Sequence, residues 1–123
     1  MGKTSAKPSI QLLAEVMPLV KSLKKNLLAG AVVLLGSRAK RRRPATYADW
    51  DLGITGGKRA INSRTYLKLK ALVDDLAENL PRQVDLVNLD AAPKWFFDGM
   101  DYEPIFLGGQ KRIWNLKYKE IHG

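Results

Sequence analysis

The chain has no cysteine, and its 123 residues include one histidine, His122. Disulfides, zinc–cysteine sites and thiol catalysis are therefore excluded. A Ser/His/Asp triad is not credible with a single imidazole near the C-terminal end. No apolar run approaches the roughly 20 residues that span a bilayer. Met1-Gly2-Lys3-Thr4-Ser5 has neither the apolar segment nor the small-residue cleavage pattern of a secretory signal. The expectation is a soluble, cytoplasmic protein with no membrane attachment. Acidic residues are also scarce, 12 against 21 lysines and arginines, for a net charge of +9. An excess of that size implies an anionic partner such as a nucleoside triphosphate, a nucleic acid or an acidic protein surface. Much of it is local, at Lys40-Arg41-Arg42-Arg43. That run reads first as a solvated loop and second as a contact for ATP phosphates, RNA or an acidic partner.

What is present suits one globular domain over 1–123, with Met1 to Lys7 as a flexible start. The apolar positions Ile10, Leu13, Met17, Val20, Leu23 and Leu27 form a helical stripe, preceded by Pro8 and capped by Ser9. Pro18 falls inside it and is expected to kink or split the helix. Ala31–Leu35 is a short continuous apolar run, the signature of a strand buried on both faces. A polar, basic loop with Pro44 leads to a second strand, Asp49–Thr55, closed by a Gly56-Gly57 turn. Ser63 is placed to cap a helix carrying Leu67, Leu69, Leu72, Val73, Leu76 and Leu80, which Pro81 stops. Val84–Leu89 reads as a third strand, and Asp90 as the cap of a short helix through Ala92–Phe97. Ile105–Leu107 and Arg112–Tyr118, joined through Gly108-Gly109-Gln110, read as a hairpin, because Trp114, Leu116 and Tyr118 alternate with polar residues. Trp95-Phe96-Phe97 and Trp114 are assigned to the core, and an exposed aromatic among them would point to a protein partner.

Three acids break apolar strands: Asp49, Asp51 and Asp85. Alternation puts Asp49 and Asp51 on one face with α-carbons roughly 6.5 Å apart. Like charges at about 6 Å repel by about 2.8 kcal/mol at an effective dielectric near 20. A cation site accepts that cost, because the metal reverses the sign of the interaction. Asp85, flanked by Val84 and Leu86, is expensive unless paired or metal-bound. If its strand lies beside the Asp49/Asp51 strand, three hard oxygen donors converge, a set suited to Mg²⁺ or Mn²⁺. Gly36-Ser37, at the end of the first strand, would then face the metals. Glycine permits close backbone approach, serine offers a hydroxyl to phosphate, and a helical turn beginning there would add free N–H groups. Metals beside a phosphate cradle point to nucleotidyl transfer. Gly2-Lys3-Thr4 is set aside as a decoy because no strand or glycine precedes it, and Gly56-Gly57-Lys58 and Gly108-Gly109 read as turns, not phosphate cradles.

Gly36-Ser37-Arg38-Ala39, then Asp49-x-Asp51, then a distal Asp85 resembles the nucleotidyltransferase superfamily that includes DNA polymerase beta. More closely, it resembles the minimal nucleotidyltransferases (MNT proteins), typically antitoxins encoded beside HEPN-domain RNase toxins. The resemblance runs from the helix before Ala31 through Asp85. It implies an α/β (α+β) nucleotidyltransferase fold, a small mixed sheet with helices packed on one face. By position, Gly36, Ser37 and Arg38 would bind nucleotide, with Gly36 and Ser37 holding the triphosphate. Asp49, Asp51 and Asp85 would be the catalytic metal ligands, with Asp85 helping to deprotonate the acceptor. The implied activity is Mg²⁺-dependent transfer of AMP from ATP to a protein hydroxyl, a tyrosine of a cognate HEPN toxin. A non-catalytic antitoxin acting by contact, and a transferase acting on RNA, are the alternatives. Three features depart from the family pattern. The Lys40–Arg43 loop is basic, Ala48 stands where a serine commonly precedes the first acid, and Trp50 replaces the usual aliphatic residue between the two acids.

Overall fold

A computed structural model describes residues 10–40 and 48–122. The expected flexible start, the Ser9 cap and Arg41–Arg43 of the basic loop lie outside the described residues. The chain forms α1 (Ile10–Leu27), β1 (Ala31–Leu35), a 3-10 turn (Gly36–Arg38), β2 (Trp50–Thr55), α2 (Ser63–Leu76), β3 (Val84–Asn88), α3 (Lys94–Asp98), β4 (Ile105–Gly109) and α4 (Lys111–His122). This is the expected mixed α+β architecture. The sheet runs β3-β2-β1-β4, with β2 and β3 parallel and the other two pairs antiparallel.

Strand alternation sorts the core into two layers. Val32, Leu34, Trp50, Leu52 and Ile54 face Val16, Leu19, Val20 and Leu23 of α1 and Leu69 and Val73 of α2. Ala31, Val33 and Leu35 face the other way, onto Ile113 and Trp114 of α4 and the partly buried Phe96 and Phe97 of α3. All five residues of β1 are buried, as its continuous apolar run requires of an internal strand. The expectation of helices on one face holds for the two long early helices, while α3 and α4 cover the second face.

Pro18 lies inside α1, which runs through it as one helix and is not split. Three local readings are corrected. Asn62, not Ser63, caps α2, its side chain accepting from the Thr65 N–H at 2.8 Å. Asp90 does not cap α3, whose N-cap is Pro93. The hairpin is replaced by a strand and a helix, since β4 pairs with β1 and the residues after Gln110 coil into α4. Leu116, taken as an inward strand residue, is 53 % exposed, whereas Ile113, Trp114, Tyr118 and Ile121 make one helical face. Trp114 is core as expected, but Trp95 is 73 % exposed. Among the described residues no helix is long and apolar enough to cross a membrane.

Candidate active site

Three chain segments meet at one end of the sheet. Leu35, the last residue of β1, pairs with Asp51, and Asp51 pairs with Asp85 across the parallel β2–β3 ladder. The two acids therefore stand side by side on the face opposite Trp50, Leu52 and Leu86. Gly36 follows Leu35 with φ of +71°, and its carbonyl accepts from the Ala39 N–H at 3.0 Å to close the turn. A Cβ at Gly36 would lie 2.1 Å from Asp51 Oδ2, so only glycine fits here with the carboxylate in place. Ser37 is exposed at the tip. Asp49, just before β2, is exposed beside the pair.

The electrostatics follow from that crowding. Burial pushes the Asp51 carboxyl up to about 6, helped by the Asp85 charge, a hydrogen bond with Asp85 and the Asp49 charge. Gln83 Nε2 donates to Asp85 Oδ1 at 3.2 Å and steadies that side of the pair. Among the described residues no three acid, histidine or cysteine side chains stand as a closed cation-binding group. Asp51 and Asp85 are hard-oxygen donors whose mutual repulsion a divalent cation would relieve, and in that sense the pair fits one, but among the described residues Asp49 does not join them in the three-acid group expected from the sequence.

Arg38 takes a different place from Gly36 and Ser37. Its side chain is 0 % exposed, with Nε and Nη2 donating to Ala48 O at 3.0 and 2.6 Å. Its guanidinium stacks 4.2 Å from the centre of the Trp50 ring. The Trp50 indole N–H donates to Glu15 Oε2 at 2.8 Å, and Arg82 pairs with Glu15 Oε1 at 2.5 Å. Arg38 thus ties the turn to the residue before Asp49, while Glu15 links α1 to Trp50 and to the segment entering β3. Burial and the nearby Arg82 lower the Arg38 pKa. This buried polar cluster escaped the reading of the sequence. Its one visible sign was Trp50, whose indole N–H needs a partner when buried between two site acids.

Two further residues were missed. The Tyr102 hydroxyl accepts a 2.8 Å hydrogen bond from the Gly36 N–H. Its ring lines a cavity of about 630 Å³ together with Lys40, Asp101, Glu103, Tyr118 and His122. His122, expected to carry no role, packs on Tyr118 with ring centres 4.3 Å apart. Burial raises the Tyr102 pKa, the Gly36 N–H works against that, and the Asp51 and Asp101 charges add to it. Asp90, by contrast, is a structural acid, its side chain 3 % exposed. It accepts from Thr55 Oγ1, Gly56 N–H and Ile61 N–H at 2.6, 2.8 and 2.9 Å, and it pairs with Lys117 at 3.2 Å.

No protein-family model matches this chain, and no curated protein matches it in sequence. Solved structures do match, at 20 % identity or less, and what they share with this chain is the fold, a nucleotidyltransferase-like one. A Shewanella oneidensis structure of an MNT antitoxin in complex with a tri-AMPylated HEPN toxin superposes with a TM-score of 0.63 at 20 % identity, covering 90 % of this chain and 83 % of that one. A toxin–antitoxin structure named MntA-HepT matches at 0.61 and 18 % identity, covering 89 % and 83 %. A toxin–antitoxin structure with AMP-PNP matches at 0.61 and 18 % identity, covering 89 % and 82 %. The chain thus has the fold of one of the two proteins in these toxin–antitoxin complexes.

Proposed function

We propose that this chain is a nucleotidyltransferase that moves AMP from ATP to a tyrosine hydroxyl of a cognate HEPN toxin, and so acts as an antitoxin. The observation that carries this reading is the Asp51–Asp85 pair, in register on adjacent parallel strands, with Asp51 pressed against Gly36. Support comes also from the fold it shares with an MNT antitoxin whose HEPN partner is tri-AMPylated.

Asp49, Asp51 and Asp85 would hold Mg²⁺, or Mn²⁺, which when bound supplies neutralisation of the polyphosphate and of the acids themselves. The Gly36 N–H and the Ser37 hydroxyl would take phosphate oxygens. Asp85 would accept the proton of the attacking hydroxyl. The new bond forms between that oxygen and the α-phosphorus, the α–β phosphoanhydride breaks, and pyrophosphate leaves. Catalysis here is positioning and charge neutralisation. The test is labelled ATP, Mg²⁺ and the HEPN-type chain of the neighbouring reading frame. Wild type should label the toxin, and Asp51→Asn and Asp85→Asn should each reduce labelling by at least about a thousandfold. Labelling retained by both variants would refute the mechanism.

A second reading is favoured by one observation, the lack of a closed three-ligand group among the described residues. In it the domain neutralises its partner by contact alone. Toxin silenced equally well when Asp49, Asp51 and Asp85 are all replaced with Asn would decide for that reading.

A further inference from the structure

The Gly36 N–H belongs to the turn assigned to phosphate, at the glycine packed against Asp51, and it is already in use. Its acceptor is a side chain 66 positions away, the Tyr102 hydroxyl, at 2.8 Å. We propose that Tyr102 is an internal stand-in for a nucleotide phosphate oxygen, which occupies the Gly36 amide, sets the affinity for the polyphosphate and swings into the adjoining cavity when nucleotide enters. This rests on the reading of Gly36 and Ser37 as the triphosphate cradle.

Three features of the structure carry it. The first is the fixed direction of the amide. Gly36 sits at φ of +71° with its Cα packed on Asp51, leaving no room even for a methyl group. An acceptor that meets this N–H therefore lies next to the candidate metal acids, where a metal-bound phosphate oxygen belongs.

The second is the chemistry of exchange. The Tyr102 oxygen is a neutral acceptor, since burial holds its proton on. A phosphate oxygen is charged, and a charge-assisted hydrogen bond is roughly twice as strong as a neutral one. The incoming ligand therefore wins the amide, while in its absence the hydroxyl keeps a half-buried donor satisfied. Another tyrosine shows the contrast. Tyr66 donates its hydroxyl to the Leu86 carbonyl at 2.6 Å, fastening α2 to β3 through a group that binds no ligand.

The third is somewhere to go. Tyr102 lies in the irregular segment between α3 and β4, and its ring already forms one wall of the 630 Å³ cavity. Lys40, two residues beyond the turn, has its ammonium 5.9 Å from the ring centre and 3.9 Å from Asp101. A rotated ring keeps aromatic and cationic neighbours on that side.

The experiment is calorimetric titration of wild type and Tyr102→Phe with Mg²⁺–AMP-PNP, inorganic tripolyphosphate and adenosine. The Phe variant removes the competing oxygen and keeps the ring. It should bind AMP-PNP and tripolyphosphate about fivefold more tightly, the worth of one neutral hydrogen bond, with adenosine unchanged. In ¹H–¹⁵N spectra the wild-type Gly36 amide should move on addition of tripolyphosphate, and its free-state position should differ in the variant. Unchanged or weaker AMP-PNP binding by Tyr102→Phe would overturn the inference, because the hydroxyl would then be positioning the turn and not competing for it. If wild type binds neither AMP-PNP nor tripolyphosphate, the nucleotide reading falls as well, and the two failures are distinguishable.

Discussion

Replacing Asp51 with Asn should make the protein more stable while it removes the activity. In the folded chain burial, and after it the Asp85 and Asp49 charges, push the Asp51 carboxyl up to about 6 from an ordinary value of 3.8. Above pH 6 it is ionised at a cost the unfolded chain does not bear. The ceiling on that cost is about 3 kcal/mol, at 1.36 kcal/mol for each tenfold change in proton affinity. The side chain is only half-buried, so solvent screening reduces this to about 1–2 kcal/mol. Asn keeps the shape and loses the charge. At pH 7.5 its melting temperature should exceed that of wild type by about 5 °C. The pH dependence fixes the sign. As pH falls from 6 toward 3.8 the folded protein takes up a proton before the unfolded one does, so wild type regains stability and the gap closes. Added Mg²⁺ should raise the melting temperature of wild type and not of Asp51→Asn, since only the charged site gains from the cation. Calorimetric melts at pH 4, 5, 6 and 7.5, with and without Mg²⁺, test the whole chain of reasoning. A variant less stable than wild type at pH 7.5, or a gap that does not change with pH, would refute the claim that repulsion is held at this site.

Gly36→Ala should lose nucleotide transfer and cost about 1–2 kcal/mol in a denaturant melt, because alanine resists the positive φ and its methyl group displaces the Asp51 carboxylate. Asp90→Asn should lower stability by about 2–4 kcal/mol, since one amide oxygen cannot serve three donors and Lys117 loses its buried partner. Hydrogen bonds from Gly56, Thr55, Ile61 and Lys117 overcome the effect of burial and hold the Asp90 pKa below the usual range. Its contribution should therefore be complete above about pH 4 and be lost in acid as pH falls through that lowered value. Arg38→Lys should cost about 2–3 kcal/mol, as an ammonium keeps the charge but neither the stack on Trp50 nor the two-pronged hold on Ala48. Leu28→Gly should stabilise by about 0.5–1 kcal/mol, because Leu28 sits at φ of +60° after α1 and is 89 % exposed, so glycine removes strain and little packing.

The elements that were legible in the sequence are those where local pattern and tertiary demand agree. Ala31–Leu35 reads as a doubly buried strand because the chain needs one at the centre of its sheet, and every residue of it is buried. Asp51 and Asp85 were legible because a charge inside an apolar strand breaks the local rule, and such breaks are costly unless something is gained. The C-terminal stretch misled because Trp114, Leu116 and Tyr118 satisfy a period of two, while Trp114, Tyr118 and Ile121 satisfy the helical period equally well. Only the bare second face of the sheet, which needed cover, decided between them. Tyr102 and Arg38 lay beyond reach for another reason. Their partners, Gly36 and Trp50, are brought to them by the fold, and nothing in the spacing of the chain predicts a contact 66 residues away.

Asp51 and Asp90 make the distinction between a working acid and a structural one physical. Asp51 lies near the start of β2 and Asp90 two residues beyond β3, and both are taken substantially out of water. Asp90 is met by a hydroxyl, two backbone N–H groups and an ammonium, so its charge is fully answered by the chain. Asp51 is met by two further acids and a glycine, so its charge is left unanswered by the protein. Folding alone selects the first arrangement and selects against the second. On the function proposed here, a bound cation and its anionic ligand would supply what the chain withholds. The two shifts run in opposite directions, Asp90 down and Asp51 up, because the fold answers the first charge with donors and leaves the second half-buried among further acids.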